Sequence, residues 1–153
     1  MASRKRHPSL AVSLPTAMLL LFLNLSAGGN GDPGPAPWLP YEPTVIELSG
    51  RLTVAVKFGP PNYGEDPKTD LRLKIPILVL EEPVNVRGDP RSDVNIESVR
   101  DVKQLQLILP RQREWDDLVN RPVVVQGTLS HAVSGGEFTE VVLTVQKISA
   151  APE

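Results

Sequence analysis

The chain has 153 residues, with 16 Lys and Arg against 18 Asp and Glu, 41% apolar residues and no cysteine. That balance describes one globular domain, and it argues against a multi-domain enzyme and against a disulfide scaffold.

Arg4, Lys5, Arg6 and His7 precede an apolar run from Leu10 to Leu25, and the small residues Ser26, Ala27, Gly28 and Gly29 follow at once. A basic stretch, an apolar stretch and small residues in that order predict a secretory signal over residues 1–27. The apolar run contains Pro15 and Asn24 and falls short of the roughly 20 residues that span a bilayer. The expectation is therefore an exported protein, periplasmic or extracellular, with no stable membrane span after cleavage. No cysteine follows the run, which excludes a lipoprotein anchor. Loss of residues 1–27 leaves 126 residues, with 13 basic groups against 18 acidic ones and a net charge near −5. A ligand whose affinity comes from neutralised phosphates needs the opposite sign, so nucleic acid is not an expected partner.

Residues 28–43 (GGNGDPGPAPWLPYEP) are rich in proline and glycine and read as a linker. The barrel domain is expected over 44–149. After Pro43 the sequence alternates: Ile46, Leu48, Leu52, Val54, Val56 and Phe58 share one parity, which predicts a long half-buried strand. Gly50 stands in the inward phase, where a strand can bend to turn a barrel corner. Residues 59–70 (GPPNYGEDPKTD) read as a long loop. Leu71, Leu73, Ile75, Ile77 and Val79 predict a second strand, with Pro76 requiring an edge or a bulge. A polar stretch then runs from Glu81 to Asp101, and Leu105, Leu107 and Leu109 place a third strand over 102–109.

Trp115, Leu118 and Val119 stand at helical spacing, so a short amphipathic helix is predicted to run to about Asn120, with Trp115 on its packing face. Val123, Val125 and Leu129 mark a fourth strand with Gly127 in its inward phase. Val141, Leu143 and Val145 lie inside a last strand over 138–148, and residues 150–153 fray. Three strands, one helix and two strands is the order of an all-β, five-stranded, OB-fold-like Greek-key barrel with its helix between strands three and four. A sandwich of seven strands or a doubly wound sheet fits that order poorly.

Five segments carry a resemblance: YEPTVIELSGRL (41–52), FGPPNYGE (58–65), VNVRGDP (84–90), VKQLQLIL (102–109) and VVVQGTLSHA (123–132). They resemble the bacterial family called domain of unknown function 4431, over about residues 38–148. The resemblance implies a small exported bacterial domain and no particular reaction. In that family a cysteine often stands where Trp38 stands and another where Asn85 stands, which implies a disulfide; here both are absent. A histidine-rich turn common in the family, suggestive of metal or acid–base chemistry, is reduced here to His131 followed by AVSGGEFTE.

The residues offer little catalytic chemistry. Without cysteine and with one histidine after residue 27, a standard zinc ligand set cannot be assembled, and no cofactor is implied. Ser130 and His131 are strand neighbours whose side chains point to opposite faces, which works against a nucleophile and its base. Paired acids such as Glu81 with Glu82 and Asp116 with Asp117 read as solvated faces, and Asp89 and Asp93 match no calcium-loop spacing. The expectation is a non-catalytic ligand-binding module of the cell envelope. An OB-fold binds its ligand between the loop after strand one and the loop after strand four. Those loops carry Asn62, Tyr63, Glu65 and Asp66 on one side and His131, Glu137 and Thr139 on the other. Tyr63 is the expected stacking residue and His131 its hydrogen-bonding partner, for a glycan, a small anion or a metabolite. The alternative is a structural or protein-interaction domain that meets an envelope protein through the strand edge near Pro76 or through its acidic surface.

Overall fold

A computed structural model describes residues 34–109 and 115–152. The signal segment, the first part of the linker and the first turn of the expected helix lie outside the described residues. Six strands follow one another: β1 (Trp38–Pro40), β2 (Val45–Phe58), β3 (Arg72–Arg87), β4 (Val99–Ile108), β5 (Pro122–His131) and β6 (Val141–Ala150). They form one mixed sheet in the order β1-β3-β2-β5-β6-β4, with β3 also paired to β4. The pairings thus run from β2 through β3, β4, β6 and β5 back to β2, while β1 adds a short parallel strand to β3.

The bend that permits this circuit sits at Gly50. It is paired on both sides, to Leu80 of β3 and Val123 of β5. A Cβ at Gly50 would collide with the Val79 carbonyl oxygen, so only glycine lets the two backbones meet. Gly127 plays the same part on β5, where a Cβ would strike the Thr144 carbonyl oxygen beside a register shift.

The core is made by the inward parities of β2, β4, β5 and β6 as their alternation predicts: Ile46, Leu48 and Leu52; Leu105 and Leu107; Val123, Val125 and Leu129; Val141, Leu143 and Val145. Val54 still packs against the core, and beyond it the expectation for β2 fails. Val56 is 61% exposed, because β3 pairs with β4 only from Ile77 onward and residues 55–58 extend past that cover. The parity of β3 is also corrected. Leu78, Leu80, Val84 and Val86 point into the core, whereas Ile75 and Ile77 are buried on the opposite face and Val79 and Leu71 are exposed. The run IPILVL is apolar at every position, so its periodicity does not choose a face.

Three further expectations are corrected. Glu81–Arg87, read as part of a polar stretch, continues β3, and Val99–Asp101 opens β4. Trp38–Pro40, read as linker, is β1, and Leu39 and Tyr41 belong to the core. Among the described residues the helix is a single 3₁₀ turn, Asp116–Leu118, preceded by a buried Trp115. Leu118 and Val119 pack on the same core, so the apolar face forms without a full helix. Pro76 lies where β3 is paired to β2 alone, which removes any need for its missing N–H; the register shifts of β3 fall further on, between Val79 and Val86. Among the described residues no helix is long and apolar enough to cross a membrane.

Candidate functional site

The loop after β2 is organised by Asp70. The residue is 8% exposed, and its carboxylate accepts the backbone N–H groups of Asn62 (2.8 Å) and Gly64 (2.7 Å). Burial pushes this carboxyl up, but backbone hydrogen bonds from Gly64, Asn62 and Asp66 outweigh it and hold the group below the usual range. Between the two donors stands Tyr63, at φ 52° and 56% exposed. A left-handed backbone costs an aromatic residue on the order of 1 kcal/mol or more. Here the carboxylate on either side of Tyr63 fixes that conformation and leaves the ring in solvent. Glu65 is exposed beside it, and the Asn62 amide nitrogen donates to Thr69 Oγ1 at 3.4 Å.

The loop after β5 is tied down by its own acids and amides. Glu137 Oε2 accepts the N–H groups of Val133 (2.6 Å) and Ser134 (2.8 Å). Thr139 Oγ1 accepts the Gln106 N–H at 2.8 Å and donates to the Val141 carbonyl at 2.7 Å. Gln106, buried on the outer face of β4, donates through Nε2 to the Gly136 carbonyl (3.1 Å) and accepts the Phe138 N–H at Oε1 (2.7 Å). Gln106 is the register partner of Ile77 on β3 and of Val142 on β6, so the loop lies over a buried row that the core does not include.

His131 is placed apart from Tyr63. Val45 of β2 pairs with Thr128 just before His131, whereas Tyr63 follows the far end of β2 at Phe58. The His131 N–H donates to Asn95 Oδ1 at 2.8 Å, and its Nδ1 lies 3.1 Å from the Ala132 carbonyl. Asn95, itself buried, also donates to Glu42 Oε1 at 3.4 Å and so joins the loop before β4 to the start of β2. The two candidate loops approach instead through Lys57, whose ammonium lies 5.8 Å from the centre of the Phe138 ring.

Of the seven loop residues singled out from sequence, Tyr63 and Glu65 present free side chains, Asn62, Asp66, Glu137 and Thr139 have local bonding duties, and His131 belongs to the Asn95 cluster. Ser130 and His131 share no hydrogen bond, and the Asp89 carboxylate is taken up by Arg91 at 3.0 Å. Among the described residues no group of three or more His, Asp or Glu converges as a metal set would. Sequence reasoning missed Gln106 and Asn95, because a lone amide within a strand or a polar loop carries no periodic signal. It also missed Trp38, whose ring carries Arg87 at 5.8 Å and Arg100 at 4.9 Å.

The family model for the Domain of unknown function (DUF4431) matches residues 104–149, from β4 into β6. That is the family the sequence resembles, and the segments before Gln104 lie outside the match. No curated protein and no solved structure matches the chain.

Proposed function

We propose that the protein is an exported, non-catalytic ligand-binding module of the bacterial envelope, built on a five-stranded barrel of OB type. The circuit of β2, β3, β4, β6 and β5 fits that architecture, with one antiparallel meander and a parallel closing pair. Export is supported by the basic and apolar character of residues 1–27. The observation that carries ligand binding is the loop around Tyr63: a buried carboxylate holds an exposed aromatic ring in a strained backbone. Such rings supply stacking area for sugars and other flat or apolar ligands at low entropic cost.

A thermal-shift screen against glycans, small anions and metabolites, with Tyr63→Ala beside the wild-type chain, tests this reading. A compound that binds the native state raises Tm by mass action. The expected result is a shift in the wild type that Tyr63→Ala loses while keeping its own Tm.

A second reading has its own observation. Among the described residues, 72–76 of β3 have no strand partner on the side facing β4, and a groove of about 660 Å³ opens there, lined by Arg72, Lys74, Pro76, Leu109, Trp115 and Asp116. An exposed strand edge beside a groove suits an extended segment of another protein. In that case Arg72→Glu and Lys74→Glu weaken a protein contact, whereas Tyr63→Ala leaves it unchanged.

A further inference from the structure

Trp38, Arg87 and Arg100 come from three different strands, β1, β3 and β4, and meet on one ring. The Arg100 guanidinium lies 4.9 Å and that of Arg87 5.8 Å from the Trp38 centroid. Their meeting depends on a local irregularity. Val84 pairs with Val102 and Val86 with Val99, so β4 holds one residue more than β3 across this step. The extra residue is accommodated at Arg100–Asp101, with Asp101 at φ 55°. Asn85 Oδ1 accepts the Asp101 N–H at 3.1 Å, and Asn85 Nδ2 donates to the Ala36 carbonyl at 2.9 Å, which fastens the bulge on one side and β1 on the other. A bulge in a strand redirects a side chain, and here it aims Arg100 at the ring.

The electrostatics of this arrangement are incomplete without an anion. Two cations on one ring repel each other. Among the described residues neither guanidinium forms an ion pair or a hydrogen bond, and the nearby Asp101 carboxylate is held by Lys103 at 2.8 Å. Each guanidinium keeps its forked set of N–H donors, the geometry that grips an oxyanion through two bonds. Arg100 and Lys103 also line a groove of about 320 Å³ that runs to Phe138, Thr139 and Glu140 with Asp101 in its wall, so a ligand seated on Arg100 has room to extend.

We propose that Trp38, Arg87 and Arg100 form a binding site for an oxyanion group, a carboxylate, sulfate or phosphate, with the indole as the platform that holds the two guanidinium groups together. The site uses neither Tyr63 nor His131, so failure of either proposal leaves the other intact.

The test is a titration of the ¹⁵N-labelled chain with sulfate, phosphate and acetate at constant ionic strength, followed at the Trp38 indole N–H and at the Arg87 and Arg100 side-chain N–H signals. Glucuronate beside glucose forms a second arm. The expected result is a common saturable shift of all three signals with millimolar affinity, weakened at least about tenfold in Arg87→Gln and in Arg100→Gln. Arg91, paired with Asp89, serves as the internal control and stays still. Glucuronate binding more tightly than the free ions assigns the oxyanion to a glycan; equal or weaker binding assigns a free anion, and both uphold the site. Shifts that grow linearly without saturation, or an affinity unchanged in both arginine variants, overturn it. Both arginines are exposed, so the variants keep the fold, which the remaining amide signals verify.

Discussion

Trp38 of β1 and Asn85 of β3 stand directly opposite each other in the parallel ladder. These are the two positions at which the resemblance implies a disulfide, and the structure brings them together without one. The attachment of β1 is now made by Asn85 to Ala36 and by the stacking of Arg87 and Arg100 on Trp38. Adjacent strands lie about 4.8 Å apart, a spacing that a disulfide can bridge. The double variant Trp38→Cys with Asn85→Cys is therefore expected to oxidise spontaneously. Closing a loop of about 47 residues stabilises by up to about 4 kcal/mol in the chain-entropy treatment, less what the lost stacking and amide bonds contributed. Thiol counting and the Tm of oxidised against reduced protein check this; two thiols that stay free in air would refute the register.

Gly50→Ala should be far more damaging than a glycine-to-alanine change in an ordinary strand. The new methyl group meets the Val79 carbonyl oxygen and the Leu78 side chain where β2 passes from β5 to β3, at a residue paired on both sides. Backbone cannot yield there without parting β2 from β3, so a loss of about 2–4 kcal/mol is expected. Urea denaturation measures it. A loss under about 1 kcal/mol would mean that the bend lies elsewhere.

How far the sequence disclosed these features depends on whether the information was periodic. β5 alternates cleanly, so its inward residues could be read one by one, whereas in β6 Val141, Val142 and Leu143 are all buried and only parity from Leu143 on marks the core face. β3 was read with the parity of Ile75 and Ile77, and alternation misled there because Ile75, Ile77, Leu78 and Leu80 are all buried, so both faces of the strand are apolar. β1 was hidden because three residues ending in proline form a strand only when a partner such as Asn85–Arg87 is waiting. Tyr63 was legible as the only aromatic of its loop, and Gly50 as a glycine in an inward phase. The Trp38 cluster was not legible, since its members are dispersed over residues 38–100 and only the pairing of β3 with both β1 and β4 unites them.

Asp70 gives the loop around Tyr63 a pH dependence of defined sign. Its folded pKa is lowered, so the stability it contributes is present above the ordinary carboxylate value, about 3.9, and is lost as pH falls through the folded value. Wild-type Tm should therefore drop more steeply than that of Asp70→Asn as pH falls from about 5 toward 2. At pH 7 the variant, whose amide cannot accept both N–H groups, should be the less stable of the two and show faster exchange at Asn62 and Gly64. Parallel pH profiles for the two proteins would remove Asp70 from this role.

Tyr41 offers the opposite case, a buried polar group whose removal should help. The residue is 3% exposed, its hydroxyl has no partner among the described residues, and burial, with Glu140 and Glu97, pushes its pKa up to about 12. An unsatisfied buried hydroxyl costs on the order of 1–3 kcal/mol, whereas phenylalanine keeps the ring and drops the cost. Tyr41→Phe is expected to leave Tm unchanged or raise it by a few degrees. A fall of more than about 4 °C, roughly 1 kcal/mol in a domain of this size, would show that the hydroxyl is bonded in solution.

Gln106 decides whether the loop after β5 stays on the sheet. One side chain satisfies both the Gly136 carbonyl and the Phe138 N–H, and its backbone N–H engages Thr139. Leucine at this position fills the volume and makes neither side-chain bond, so Gln106→Leu should cost about 1–3 kcal/mol through the polar groups it strands. The local consequence is sharper than the global one. Hydrogen exchange at Phe138 should accelerate more than at Leu143 or Val125, which belong to the main core. With the loop released, Ile77 and Val142 lose their cover on the outer face, and the variant should bind an apolar dye that the wild type ignores. If exchange at Phe138 rises no more than in the core, the loop is held by its apolar contacts, and Glu137, which clamps the turn through Val133 and Ser134, becomes the residue to change next.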